Sequence, residues 1–382
     1  MNRFLLKTFK QITFYTILNR YVSKLFLFNF LKVFLGFLLI IFLVNLIDNI
    51  DNVGAGGASF ASVFLMAILR APDFLNAIAP SMILFASLLT FFSLSSHSEV
   101  VIIRVAGFSM WHFVLPMAIC SFFCGIFWIL IYNNISISSF KHANKIESMQ
   151  KQSSARSFIA PKSGIWIRQD NSEHQDGYII IKSRMVYKDN IQMIDNSLWF
   201  FDNQGDYYKR VDNPSMTLQD GYWQAEDSIL NKDQIYNKKI GATKIFSNLK
   251  KDIFSEKFLN FLEDPRLFSI YRLPTAIADL ESLGLDSTKF KVQLNYLLTI
   301  PILFVAMVLL AAFFGINNFR DLTASIKITV GVAVGLFIYI SLNFIKALGA
   351  SKIIPIFLST WMVVLMCLAC STILIYRKED KN

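Results

Sequence analysis

Apolar residues gather in two blocks along this chain. Residues 25–48, 73–95 and 109–132 are three predominantly apolar stretches, and 293–316, 325–348 and 354–376 are three more. Between the blocks lies a long polar segment. Each stretch is long enough to cross a hydrocarbon core of about 30 Å at about 1.5 Å rise per helical residue. The pattern predicts an α-helical membrane protein with six transmembrane helices, three on each side of an inserted domain. Pro80, Pro116, Pro301 and Pro355 fall within or at the ends of the spans, where neighbouring helices can satisfy the carbonyls that a proline frees.

Within the polar segment the period changes from helical to strand-like. Gly164–Arg168, Tyr178–Lys182, Leu198–Phe201, Tyr207–Arg210, Gly221–Gln224 and Ala242–Phe246 are short aromatic or β-branched runs. Asp-Asn, Asn203-Gln-Gly-Asp206, Asp212-Asn-Pro214 and Gln219-Asp-Gly221 read as turns between them. Short strands at this spacing predict an all-β sandwich or jelly roll. From Ser269 to Gly284 the period is helical again, with Ile270, Leu273, Ile277 and Leu280 on one face, and an amphipathic helix is expected to lead back to the membrane. The predicted organisation is 1–133 for the first membrane half, 134–266 for the β-domain, and 267–382 for the connecting helix and second membrane half.

Composition and charge set the orientation. Hydrophobic residues make up 54% of the chain and charged residues 17%, with a net charge of +10. The basic excess flanks the spans and is joined by no basic-aromatic strand motif, which argues against nucleic-acid binding. Lys7, Lys10, Arg20 and Lys24 precede the first span. Arg104 lies between the second and third, Arg320 between the fourth and fifth, and Arg377 and Lys378 follow the last. The opposite connections carry Asp48, Asp51 and Arg70, then Lys352. Both termini are therefore expected in the cytoplasm and the middle domain outside the inner membrane, in a multi-pass bacterial inner-membrane protein. The run from Leu25 to Ile47 is too long for a signal-peptide core and is expected to remain as an anchor. All four cysteines lie in apolar spans. Cys120/Cys124 and Cys367/Cys370 lack the partners of a zinc or redox site, so they read as packing residues.

Candidate chemistry is sparse. The chain has no Gly-x-x-x-x-Gly-Lys-Ser/Thr phosphate cradle. His174 has no identifiable catalytic partner, and Asp170, Glu173 and Asp176 read as solvated loop charges. A non-catalytic subunit without a cofactor or metal of its own is expected. Aromatic edge strands suit docking to another β-domain by strand addition.

The connection Ser95–Ser109 offers a sharper signal. Ser96 or Ser98 is placed to cap a short helix, Glu99 lies near its positive end, Val100, Ile103 and Ala106 form its apolar side, and Gly107 ends it. Such a helix, with Arg104 on it, fits a groove on a cytoplasmic partner. The stretch Ser-x-Ser-Glu-Val-Val-x-x-Arg-x-Ala-Gly-Phe-Ser resembles the signature of the lipopolysaccharide export permease family LptF/LptG (YjgP/YjgQ). Arg20-Tyr21, Gly164-x-Trp166 and Leu280–Gly284 leading to Pro301 agree with it, and the resemblance covers essentially the whole chain. Gly164-x-Trp166 and the Ile270-Tyr-x-Leu273 helix look more like the LptG branch than the LptF branch.

The resemblance implies six transmembrane helices with a periplasmic β-jellyroll. It implies a heterodimer with the LptF paralogue on a cytoplasmic LptB ATPase dimer, where ATP and Mg are bound. Lipopolysaccharide would pass from the inner membrane to the jellyroll, then to LptC and LptA toward the outer membrane. By motif match, Glu99 corresponds to the glutamate that engages the ATPase. Where family members often carry a lysine near the outer end of the first span, this chain has Asn45. Lys346, near the outer end of the fifth span, is expected to supply that positive charge in the lipid cavity. Asn45, Asp48 and Lys32 are the other cavity candidates, with Lys32 able to snorkel to the cytoplasmic interface.

Overall fold

The computed structural model describes residues 2–56, 60–96, 99, 105, 109–151, 158–159, 165–171, 177–187, 192–219, 222–232, 235–246, 264–282, 286–315 and 324–379. The chain divides into two compact units, 1–147 with 291–382, and 148–290. Hydropathy placed these junctions at 133 and 266.

The first unit is helical. Its elements are α1 (Asn2–Gly56), α2 (Phe60–Ser96), α3 (Trp111–Phe127), α4 (Asn133–Lys151), α6 (Thr288–Gly315), α7 (Ala324–Ala350) and α8 (Ile356–Glu379); α5 belongs to the other unit. Six helical stretches are apolar and long enough to cross a membrane: Thr16–Asp48, Phe60–Ser96, Trp111–Ile146, Thr288–Gly315, Thr329–Ala350 and Ile356–Arg377. Each contains or overlaps one of the six expected spans. The third runs past Tyr132 because a single π-helical turn, Trp128–Tyr132, joins α3 to the more polar α4 without a break. Small residues set the helix approaches, as they do in membranes where apolarity alone drives no association. A Cβ on Gly125 of α3 would lie 2.6 Å from the Pro301 Cα of α6. Gly315 meets Phe91 in the same way, Gly331 meets Leu88, and Gly349 meets Ser359.

The second unit contains one antiparallel sheet: β1 (Phe158–Ile159), β2 (Ile165–Asn171), β3 (Gly177–Tyr187), β4 (Gln192–Phe201), β5 (Tyr207–Gln219), β6 (Tyr222–Lys232) and β7 (Ile235–Phe246). The strands from β3 to β7 are neighbours in chain order, and both β1 and β2 pair with β3. Each of the six expected runs lies in, or overlaps, one strand from β2 to β7.

One sheet makes two layers because it is creased. Along β3 the buried positions run Ile179, Ile181, Ser183 and then Val186. On β4 they run Phe200, Leu198, Asn196 and then Met193; on β5 Val211, Asn213, then Met216 and Leu218; and on β6 Ser228, then Ala225 and Trp223. Alternation by two slips to three on every strand at the same row. Ser183 pairs with Asn196, Asn196 with Asn213, and Ser228 with Gly241. The β5–β6 register sets Asn213 opposite Ser228. Asp195 and Asp227 beside this row hold φ of 56° and 45°, and Gly241 65°, the left-handed conformation that bends a strand. Pro214 occupies the crease on β5, so Asp212-Asn-Pro214, read from sequence as a turn, is a bend inside a thirteen-residue strand.

Past the crease the arms face one another. Trp223 Nε1 of β6 donates to Gln169 Oε1 of β2 at 3.1 Å. Four strand steps in a flat sheet would separate these strands by about 19 Å. Ile167, Ile179, Ile181, Leu198, Phe200, Met216, Leu218, Trp223 and Ile245 belong to the core closed between the arms.

Asp264 caps the short 3₁₀ turn Pro265–Leu267 by accepting from Arg266 N at 2.9 Å, and α5 (Leu273–Ser282) follows. Leu273, Ala276 and Leu280 form its buried stripe. Ile270 lies in the turn before the helix, and the expected stop at Gly284 is outside the described residues.

Candidate functional site

Three polar places interrupt the apolar helical unit. The first joins two segments far apart in sequence. Glu99 is helical and half-buried, and its Oε1 accepts a hydrogen bond from the Tyr21 hydroxyl of α1 at 3.1 Å. The Arg20-Tyr21 pair and the Ser95–Ser109 connection therefore meet through side chains. A carboxylate held by a neutral hydroxyl keeps its charge and further acceptor capacity for a cationic partner. Ser98, Arg104 and Gly107 lie outside the described residues. The sequence displayed Tyr21 within a motif but gave no sign that it reaches Glu99, 78 residues on.

The second place is Lys346 on α7. It does not simply extend toward an interface. Its Nζ donates to Gln293 Oε1 of α6 at 2.7 Å and lies 4.0 Å from the centroid of the Tyr296 ring. Gln293 is buried, and one helical turn separates it from Tyr296, so α6 offers a carbonyl and a π-face on one side. Both contacts stabilise the ammonium form and fix its position. Gln293 and Tyr296 were not singled out from sequence, because only the α6–α7 pairing reveals them.

The remaining cavity candidates lie apart on α1. Asn45 is buried, Asp48 is exposed, and exposed Lys32 rests its ammonium 4.3 Å from the Phe28 ring one turn earlier. Higher on the same helix, buried Asn29 donates through Nδ2 to Thr90 Oγ1 of α2 at 3.1 Å.

The third place surrounds the π-helical turn. Trp128 Nε1 donates to Asn76 Oδ1 at 2.8 Å, and Asn76 Nδ2 donates to Asn133 Oδ1 at 2.9 Å. The Tyr132 hydroxyl donates to the Pro72 carbonyl at 3.2 Å, and its ring stacks on Trp128 with centroids 3.9 Å apart. Phe30 and Phe34 of α1 and Phe304 of α6 meet the Trp128 ring at an edge. One residue added to a helical turn thus ties four helices through polar side chains inside an apolar bundle.

On the β-domain, Trp166 of the Gly164-x-Trp166 pair stacks on Trp199 at 5.5 Å. Lys182 flanks Trp166 and Arg210 flanks Trp199, giving an ordered aromatic-cationic row across strands β2 to β5.

Comparison with known proteins accounts for this combination of six spans, inserted β-domain and motif order. Residues 20–377 match the family described as lipopolysaccharide export system permease LptF/LptG. The chain is also 23% identical over 279 residues to the lipopolysaccharide export system permease protein LptG of Haemophilus influenzae, covering 71% of this chain and 74% of that protein. With the family matched from the Arg20-Tyr21 pair to the end of the last span, this chain belongs to the lipopolysaccharide export permease family LptF/LptG.

Proposed function

We propose that this chain is the LptG-type permease subunit of an ATP-driven transporter that extracts lipopolysaccharide from the inner membrane and delivers it to a periplasmic bridge toward the outer membrane. The family match along residues 20–377 carries the reading, and the likeness to an LptG protein favours that branch. The chain is a multi-pass inner-membrane protein in this reading, with both termini cytoplasmic and the β-domain periplasmic. It works with the LptF paralogue, an LptB ATPase dimer that binds ATP and Mg, and the periplasmic proteins LptC and LptA. It performs no chemistry itself. The Tyr21–Glu99 contact supports a role for Glu99 in coupling, because a held carboxylate presents a fixed acceptor to the ATPase. Lys346, oriented by Gln293 and Tyr296, is the cation proposed to attract the phosphates of the lipid in a partly desolvated site.

The test is ATP-driven lipid release from vesicles containing the full complex. Glu99→Ala should leave ATP hydrolysis measurable while abolishing release, and sustained release would remove Glu99 as the coupling residue. Lys346→Gln should weaken photocrosslinking of lipopolysaccharide to the first and fifth spans. Unchanged crosslinking and transport would remove the lysine from the lipid path. A chain that co-purifies with no ATPase through residues 95–108 would instead be a membrane-anchored scaffold.

A further inference from the structure

The crease of the β-domain holds a cavity of about 750 Å³, within the roughly 300–1,000 Å³ range of small-molecule sites. Its lining combines Asn196, Asn213 and Ser228 from the buried row with Asp195, Asp227 and Lys239 around them. Ser197, Arg210 and Asp212 also border it. The three row residues are 2%, 4% and 0% exposed. Asn196 Nδ2 donates to Met193 O and Asn213 Oδ1, each at 2.9 Å. The opposite ends of these amides, Asn196 Oδ1 and Asn213 Nδ2, make no hydrogen bond among the described residues, and neither does Ser228 Oγ. Buried polar atoms are rarely left so, and here an acceptor, a donor and a hydroxyl capable of both roles lie on one row.

We propose that the crease binds a hydroxylated saccharide. Sugar hydroxyls donate and accept at once, matching Asn196 Oδ1, Asn213 Nδ2 and Ser228 Oγ together. An apolar chain would leave all three unsatisfied. A phosphate, rich in acceptors, would serve Asn213 and Ser228 but not Asn196 Oδ1. It would also meet three carboxylates, Asp195, Asp212 and Asp227, against the two cations Arg210 and Lys239. Arg210 is already committed, with its guanidinium 2.9 Å from Asp212 Oδ1 and donating to Ser197 Oγ at 3.3 Å. Ser197 in turn donates to Asp212 at 2.6 Å. This closed network leaves Asp227, Lys239 and the row to face the ligand. Trp199, whose ring lies 5.4 Å from the Arg210 guanidinium, flanks the cavity with a face suited to the C–H side of a sugar ring. On the export reading, the saccharide is the hydrophilic part of the transported glycolipid; a free oligosaccharide would present the same hydroxyls.

The full chain, purified in lauryldimethylamine oxide so that no glycosidic detergent competes, is titrated with three probes. These are intact lipopolysaccharide, its delipidated core oligosaccharide and inorganic phosphate, each followed by saturation-transfer NMR. The expected result is contact with the oligosaccharide, weakened about tenfold by Ser228→Ala and again by Asn213→Ala, with phosphate unable to compete. Ser228→Ala removes one oxygen and keeps the backbone, so a circular-dichroism spectrum and melting midpoint like those of the parent separate lost binding from lost folding. If the same variants weaken intact lipopolysaccharide, the glycolipid headgroup is the source. If they weaken only the free sugar, the site stands with a free oligosaccharide as its ligand. No oligosaccharide contact by folded protein, equal contact by both variants, or displacement by phosphate overturns the proposal. Unaltered ATP-driven lipid release alongside any of those results would leave the export reading standing, whereas sugar bound at the crease without release would remove the export reading alone.

Discussion

Helices α1 and α6 are matched in apolarity and opposed in environment. Both contain a window apolar enough to span a membrane, yet 6% of that window is buried in α1 and 72% in α6. Helix α1 shows Leu31, Leu35, Leu39, Ile40, Leu43 and Val44 on its surface, while α6 encloses Leu303, Phe304, Ala306, Met307 and Val308. Apolarity therefore reports immersion in hydrocarbon and says little about position in the bundle, because lipid tails and leucine side chains are equivalent solvents. Small residues and polar pairs distinguish the two helices. The α6 backbone is approached by Gly125 at Pro301, while α1 carries Asn29 bonded to Thr90 along an otherwise apolar face.

The largest effect should come from closing the approach to α6. Gly125→Val places a branched side chain where a Cβ alone would lie 2.6 Å from the Pro301 Cα, and backbone on both sides cannot yield as a side-chain tip would. The expected loss is on the order of 3 kcal/mol, from overpacking. It would be read as a lower melting midpoint in detergent and faster proteolysis of the helical unit. Parent-like melting of Gly125→Val would mean that α6 is not held at this crossing.

What the sequence revealed depended on the range of each signal. Spans and strands are local, so hydropathy found all six crossings and alternation found a run in every strand from β2 to β7. The crease escaped because it consists of one-residue slips on separate strands. Asn213 and Pro214 carry ordinary turn chemistry, and only the register of β4, β5 and β6 shows them to be one row. The candidate site was half visible for a similar reason. Glu99 and Lys346 stand out as charges beside or within apolar sequence, but Tyr21, Gln293 and Tyr296 become their partners only through helix pairing. The Trp128–Asn76–Asn133 chain was hidden because the π-helical turn that aligns it has no sequence signature of its own.

A smaller effect should follow from removing the polar tie of α1. Asn29→Leu keeps the volume roughly constant and deletes the bond to Thr90, whose hydroxyl retains its own donation to the Ala86 carbonyl at 2.7 Å. Interhelical hydrogen bonds in membranes average about 0.6 kcal/mol, so the melting midpoint should fall slightly. The proteolytic pattern should show α1 loosening while α6 stays protected. A loss comparable to that of Gly125→Val would show that α1 depends on this pair more than its exposed surface suggests.

The smallest effect belongs to the face of α1 itself. Leu39 is 58% exposed and Leu303 on α6 is fully buried, so the same truncation to alanine separates the helices directly. Leu303→Ala leaves a cavity in close-packed surroundings and should cost about 2 kcal/mol or more. Leu39→Ala should change the stability of the isolated chain by less than about 0.5 kcal/mol, the usual range for a surface position. Parallel melting of the two variants in the same detergent decides the matter. Equal losses would mean that α1 is packed within the chain after all, and its apolar face would no longer be a surface for lipid or a partner to cover. A silent Leu39→Ala in the isolated chain that lowers the midpoint of the assembled transporter would identify that face as buried by assembly.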